Sequence, residues 1–330
     1  MKKNLLYFVI FLVLFSGWGG TFLYSKSNNL ENNTSLNICS FNIQFLGSSK
    51  KRDNETLSKI LKDYDIVVVQ ELVASPVEGT YPDGKPYSAD HEAALFFQCM
   101  KQKGFSYILS EEDTGPGEKN HSASNSTEWW VVFYKPEVVE EALDIPHGFL
   151  AEDRSHNDDY DRVPYTFPFR TKDNHLDFVL ISVHLKPGNS RSNQARRFHE
   201  LSSIAQWIDR NDKVEKDFIV LGDMNIKNKK ELLSDIPRGY VSLNDECYST
   251  NTNPKSPKPY DHIMYNPVYT TEIESQTGIL VINLVKVVRP YWTSKKRFPG
   301  DPYVHNKFRQ YYSDHDPVVF KMNIPENDDD

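Results

Sequence analysis

Cysteine is scarce in this 330-residue chain: Cys39, Cys99 and Cys247 are an odd number at wide spacing, which matches neither a zinc ribbon nor a disulfide framework. No cysteine chemistry is expected. None stands at the end of the apolar N-terminal run, which argues against a lipoprotein. An excess of positive charge is missing too. With a formal net charge of −8, the chain as a whole repels a polyanion, so any nucleic-acid binding has to use a local basic surface. No repeat appears at the usual periods, and the one low-complexity tract is the terminal "ENDDD" within an acidic tail at 325–330. What the chain does have is apolar content, 38% hydrophobic and 13% aromatic, enough for a sizeable core.

Long hydrophobic runs are confined to the N-terminus. There "MKKN" is a basic start, and "LLYFVIFLVLF" with "SGWGGTFLY" continues as mostly apolar residues. Residues 1–24 read as a signal peptide or an N-terminal membrane anchor: "SGWGG" suits cleavage, while the uninterrupted "TFLYSK" suits retention. Either predicts export, with the domain secreted or anchored outside the cytoplasm. "SKSNNLENNTS" is a polar linker over 25–35, and the working domain is expected at 36–324.

Short Val-, Ile- and Phe-rich runs bounded by turn residues predict buried strands at 36–42, 65–71, 129–134, 177–185, 217–223 and 316–322. Helical periodicity appears in "RSNQARRFHELSSIAQWIDR", with Ala195, Phe198, Leu201, Ala205 and Ile208 on one face. A second helix is "ADHEAALFFQCMKQKG", with Ala93, Phe96, Phe97 and Met100 inward and Gly104 as its stop. The class is mixed α/β.

Polar residues gather at the strand ends. Asn42, Glu71, His184, Asp223 and Asn225 fall at or just past C-terminal ends, and Glu128, Asp261, Asp314 and His315 fall just before strand starts. In a mixed sheet the two sets share one rim, where ligands commonly bind. Carboxylates and amide oxygens there are hard ligands of the type Mg²⁺, Mn²⁺ or Ca²⁺ prefers. Two histidines, each oriented by a carboxylate such as Asp261 or Glu128, suit general acid–base work, and with a divalent ion they suit attack on phosphate esters. Singly, each has a plainer reading: a hydrogen-bonded core histidine in "ISVHL", or turns and caps in "GDMN" and "SDHDP".

Taken together, "FNIQFLG", "VVVQE", "TEWWVVFY", "ISVHLKPG", "VLGDMN", "YDHIMY" and "YYSDHDP" resemble, in order, the endonuclease/exonuclease/phosphatase superfamily, and most closely its deoxyribonuclease I-like branch. The resemblance spans about residues 36–322. It implies a four-layer α/β/β/α sandwich with mixed central sheets and a site at one edge. It implies metal binding by Asn42, Glu71, Asp223 and Asp314, with Mg²⁺ first and Mn²⁺ or Ca²⁺ as alternatives. Asn225 would hold the phosphate, His315 with Asp261 would be the general base, and His184 with Glu128 would protonate the leaving oxygen. Arg162 resembles the arginine that contacts substrate phosphate. Two departures stand out: Ser126 occupies the position of a groove-contacting tyrosine, and the disulfides of animal members have no counterpart.

Substrate is less constrained. "YWTSKKRFPGDPYVHNKFRQYY" sets Lys295, Lys296, Arg297, Lys307 and Arg309 among Trp292, Phe298, Tyr303, Phe308, Tyr311 and Tyr312, which suits phosphate tracking with base contact. Lys186, Arg191, Arg196 and Arg197 would extend that surface. A solvated loop, or contact with a phospholipid headgroup, accounts for the same letters. The expectation is an exported, divalent-metal-dependent endonuclease acting on DNA, with RNA as a further substrate. A sphingomyelinase-like lipid phosphodiesterase is the alternative enzyme, and an inactive binding protein is the non-enzymatic one. No protein partner is implied.

Overall fold

The computed structural model describes residues 34–122, 124–173, 175–273, 278–291, 303–326 and 328. The apolar segment 1–24, most of the linker, and Lys295, Lys296 and Arg297 with Trp292 and Phe298 lie outside them. Among the described residues no helix is long and apolar enough to cross a membrane.

The described residues form fifteen strands, in chain order β1 (Ser35–Leu46), β2 (Ile66–Leu72), β3 (Gly79–Thr80), β4 (Pro86–Tyr87), β5 (Ser106–Thr114), β6 (Glu128–Tyr134), β7 (Val139–Glu141), β8 (Gly148–Phe149), β9 (Tyr165–Thr171), β10 (Asp177–His184), β11 (Phe218–Asp223), β12 (Val241–Ser242), β13 (Asp261–Tyr265), β14 (Leu280–Val281) and β15 (Val318–Asn323). The main helices are α1 (Asn54–Leu61), α2 (His91–Lys101), α3 (Arg191–Asn211) and α4 (Lys229–Asp235). Asp53, Asp90, Ser190 and Asn228 cap them, each accepting a backbone N–H of the first turn.

One sheet runs β14-β15-β1-β2-β6-β5 and the other β12-β13-β11-β10-β9-β7, with β8 beside β9. Each has a single parallel pair at its centre, β1 with β2 and β10 with β11, and antiparallel neighbours outward. The strands read as unbroken apolar runs because both faces are covered. On β2, Ile66 and Val68 join the core between the sheets, whereas Val67 and Val69 face Phe96 and Met100 of α2. On β11, Ile219 and Leu221 face the other sheet, whereas Phe218 and Val220 face Leu201, Ile204 and Ile208 of α3. The result is the four-layer α/β/β/α sandwich with mixed central sheets.

The face of α3 differs from the sequence reading. Leu201 and Ile208 are buried, but Ala195 is exposed and Phe198 is 49% exposed, while Arg197 and Glu200 are inside. Arg197 is thus not at the surface expected for it, and both charges are satisfied within the protein. Arg197 binds Glu231 and the carbonyls of Lys186 and Gly188, and Glu200 accepts the N–H groups of Asp161 and Lys186. Arg197 is therefore no part of a basic surface. Lys186 is ion-paired with Asp161, and Arg196 donates to the carbonyls of Asn157 and Asp158. Part of the aromatic segment is likewise core: Phe308 and Tyr312 are buried against β1 and α1.

Candidate active site

The C-terminal ends of both parallel pairs meet at one edge of the sandwich. Asn42 and Glu71 arrive from the first sheet, and His184 and Asp223, opposite each other in register, from the second. Just beneath, Gln70 accepts from Ser40 and donates to Ser182 Oγ of the facing sheet at 3.3 Å. Irregularities interrupt the first sheet here, between Asn42 and Leu46, Val69 and Leu72, and Leu109 and Asp113. Such bulges re-aim side chains. Gln44, Phe45, Glu71 and Asn225 all take positive φ, between 53° and 62°, a conformation that non-glycine residues hold only where the surroundings enforce it. Gly222 supplies close approach instead: a Cβ there would lie 2.1 Å from the Val183 carbonyl oxygen. That contact explains the glycine of "GDMN".

Two histidine–carboxylate pairs face each other. His315 Nδ1 lies 2.8 Å from Asp261 Oδ2, and His184 Nδ1 lies 2.6 Å from Glu128 Oε1. Each Nε2 points to Asp223 Oδ2, at 3.5 Å in both cases. All five residues are buried. Burial pushes the His184 imidazole down, but Glu128 and Asp223 outweigh it and carry it up to about 9. His315 is raised well above its ordinary value, again against burial, by Asp261, Asp223 and Asp314. Burial acts against ionised Glu128 as well, yet the charges of His184 and Arg162 hold it below the usual carboxylate range.

The acidic side of the site is different. Burial raises Glu71 to about 7, with Glu128 and Asp314 adding to the effect. Asn42 donates to Glu71 Oε1 at 2.8 Å and to Asp223 Oδ2 at 3.1 Å, and Phe45 N–H reaches Glu71 Oε2 at 3.0 Å. No lysine or arginine among the described residues pairs with Glu71. Glu71, His184 and Asp223 offer atoms within 4.8 Å of one another, as do Asp223, Asp261 and His315. A buried carboxylate with no lysine or arginine ion pair among the described residues, beside a second carboxylate and an amide oxygen, fits a hard divalent cation.

The other sequence candidates can now be placed. Asn225 sits over the site, its N–H bound to Asp223 and its amide to the Leu185 carbonyl. Arg162 is buried, with Nε 2.9 Å from Glu128 Oε1 and Nη1 3.5 Å from Asp161. Asp314 is partly exposed, pairs with Arg309 at 3.5 Å, and acts on Glu71 only through its charge. Three supporting residues escaped sequence reading. Thr250 donates to Asp261 Oδ2 at 2.6 Å, Ser313 donates to the Asn42 carbonyl, and Arg52 binds several backbone carbonyls nearby. Short polar side chains and one arginine in a polar stretch carry no pattern that could reveal these bonds.

This assembly is that of a phosphoesterase. A profile of the Endonuclease/Exonuclease/phosphatase family matches residues 39–315, and the chain belongs to that family. Sequence comparison with curated proteins finds no match. Among solved structures it resembles the human Nocturnin catalytic domain with bound sulfate anion, at 13% identity over 88% of this chain and 94% of that one, TM-score 0.53. It also resembles a Bacteroides thetaiotaomicron mannosyl-6-phosphatase, at 15% over 87% and 99%, TM-score 0.52. D. rerio TDP2 complexed with single-strand DNA product is similar as well, at 15% over 88% and 100%, TM-score 0.50. At such identities the likeness is one of fold.

Proposed function

We propose that this protein is a divalent-metal-dependent phosphodiester hydrolase of the deoxyribonuclease I type, with nucleic acid as substrate. The observation that carries the reading is the placement of two histidine–carboxylate pairs on either side of Asp223. His184, kept protonated near neutral pH, is suited to give its Nε2 proton to the departing oxygen. His315, oriented by Asp261, is suited to take a proton from the attacking water. Arg162, bound to Glu128, and Asn225, bound to Asp223, would contact the phosphoryl oxygens. Mg²⁺ or Mn²⁺, held by Glu71, Asn42 and Asp223, would supply positive charge against those oxygens and offset the carboxylates that hold His315 protonated.

A histidine acid supplies the proton that a departing alkoxide needs, in a diester and in an alkyl monoester alike. The TDP2 structure with bound DNA and the basic stretch at 295–297 support nucleic acid. The apolar segment 1–24 supports export, with the site outside the cytoplasm. The test is to offer the full chain, with Mn²⁺, supercoiled plasmid, sphingomyelin vesicles and a sugar phosphomonoester side by side. Plasmid nicking that His315→Ala abolishes is expected. Turnover of the monoester or the lipid with intact plasmid would overturn the nuclease reading.

A further inference from the structure

Arg52 touches none of the residues assigned to chemistry, yet its side chain is only 1% exposed. Its Nη1 donates to the Ile43 and Tyr312 carbonyls, each at 2.5 Å, its Nη2 donates to the Gln44 carbonyl, and its Nε lies 2.9 Å from Glu92 Oε1. Glu92 in turn accepts the N–H of Gly47. One guanidinium therefore joins the irregular end of β1 to the segment at Tyr312, which is 260 positions from Arg52 in sequence.

Both segments end in the site. On the first, Gln44 N–H donates to Asn42 Oδ1 at 3.0 Å and Phe45 N–H donates to Glu71 Oε2, and these are two of the four site residues whose positive φ has to be enforced. On the second, Tyr312 precedes Ser313, whose hydroxyl binds the Asn42 carbonyl at 2.7 Å and accepts the His315 N–H at 3.0 Å. A planar fork with fixed donor directions can satisfy three carbonyls and a carboxylate at once, and a lysine ammonium cannot.

Resting on the metal-dependent reading above, we propose that Arg52, braced by Glu92, is a positioning residue. It sets the spacing between the cation ligands Asn42 and Glu71 and the His315 loop, and so sets cation affinity. A comparison inside the molecule sharpens the idea. Arg197 is equally buried, binds Glu231, and holds the carbonyls of Lys186 and Gly188 behind His184. That arginine supports the histidine side and should leave cation affinity alone.

The experiment is Mn²⁺ titration calorimetry on the folded full chain, comparing wild type, Arg52→Lys, Glu92→Gln and Arg197→Lys. Arg52→Lys is expected to weaken Mn²⁺ binding about tenfold or more, Glu92→Gln about threefold, and Arg197→Lys less than twofold. Amide hydrogen exchange should quicken at Phe45 and His315 together in Arg52→Lys. Glu92→Gln keeps all three carbonyl bonds and so serves if Arg52→Lys does not fold. An unchanged affinity in both, or equal losses in Arg197→Lys, would overturn the positioning role. Failure of the wild type to bind Mn²⁺ would instead overturn the metal reading, and this proposal with it.

Discussion

Ser313 and Asn42 are bound to each other, the serine hydroxyl donating to the asparagine carbonyl at 2.7 Å across 271 positions of sequence. The same hydroxyl accepts the His315 N–H, so one buried oxygen fixes the loop of the proposed general base to the strand that carries Asn42. Ser313→Ala leaves both partners unpaired in a dry environment. A loss of about 1–3 kcal/mol in denaturant unfolding is expected. With it, kcat should fall roughly tenfold, with little change in KM. A variant with wild-type kcat would place Ser313 in the scaffold alone.

Glu71→Gln keeps the shape of a buried side chain and removes its charge. Cation binding should suffer first, and kcat should drop about a hundredfold or more, while KM for substrate moves by less than a factor of about ten. Wild-type activity should vanish in chelator and return with Mg²⁺ or Mn²⁺. Full turnover in excess chelator would refute a metal role for Glu71.

His184→Ala and His315→Ala should each slow turnover about 10²–10⁴-fold. Since both Nε2 atoms face one Asp223 oxygen, the double mutant should lose less than the product of the single losses. Strict multiplicativity would show that the two act in separate steps.

Far from the rim, Asp217 is fully buried at the start of the β11 region, where burial and the nearby Glu272, Glu215 and Asp328 raise it to about 9. An acid raised this far binds a proton in the folded state that the unfolded chain has already released, so stability falls as pH climbs from about 4 towards 9. Asp217→Asn should therefore raise the melting temperature at pH 8 more than at pH 5. Equal shifts at the two pH values would remove Asp217 as the source of that dependence.

Much of this was legible because strands buried on both faces leave continuous apolar runs, and because the chemistry sits where those runs stop. Asn42, Glu71, His184 and Asp223 could be placed at one rim from their position relative to Val- and Ile-rich segments. Glu128 and Asp261 open β6 and β13 as expected. The face of α3 was misread for a physical reason: periodicity sorts residues by polarity, and Arg197 and Glu200 are polar residues whose partners lie on other segments. Arg52, Thr250 and Ser313 were missed on the same ground, since their importance resides in carbonyls and carboxylates brought near only by folding. Phe308 and Tyr312 erred the other way, as aromatics that looked like a contact surface and proved to be core.

Strand β15 pairs with β1 along its length, from Ser35 opposite Asn323 to Ser40 opposite Val318, and it follows every other strand in the chain. The first sheet consequently cannot close during synthesis until its final strand has left the ribosome, and His315 arrives with that strand. A phosphodiesterase of the kind proposed is hazardous to the cell that makes it. Here the order of translation places the proposed general base after the other residues of the site, so a product stalled before this strand lacks His315 and leaves the first sheet open.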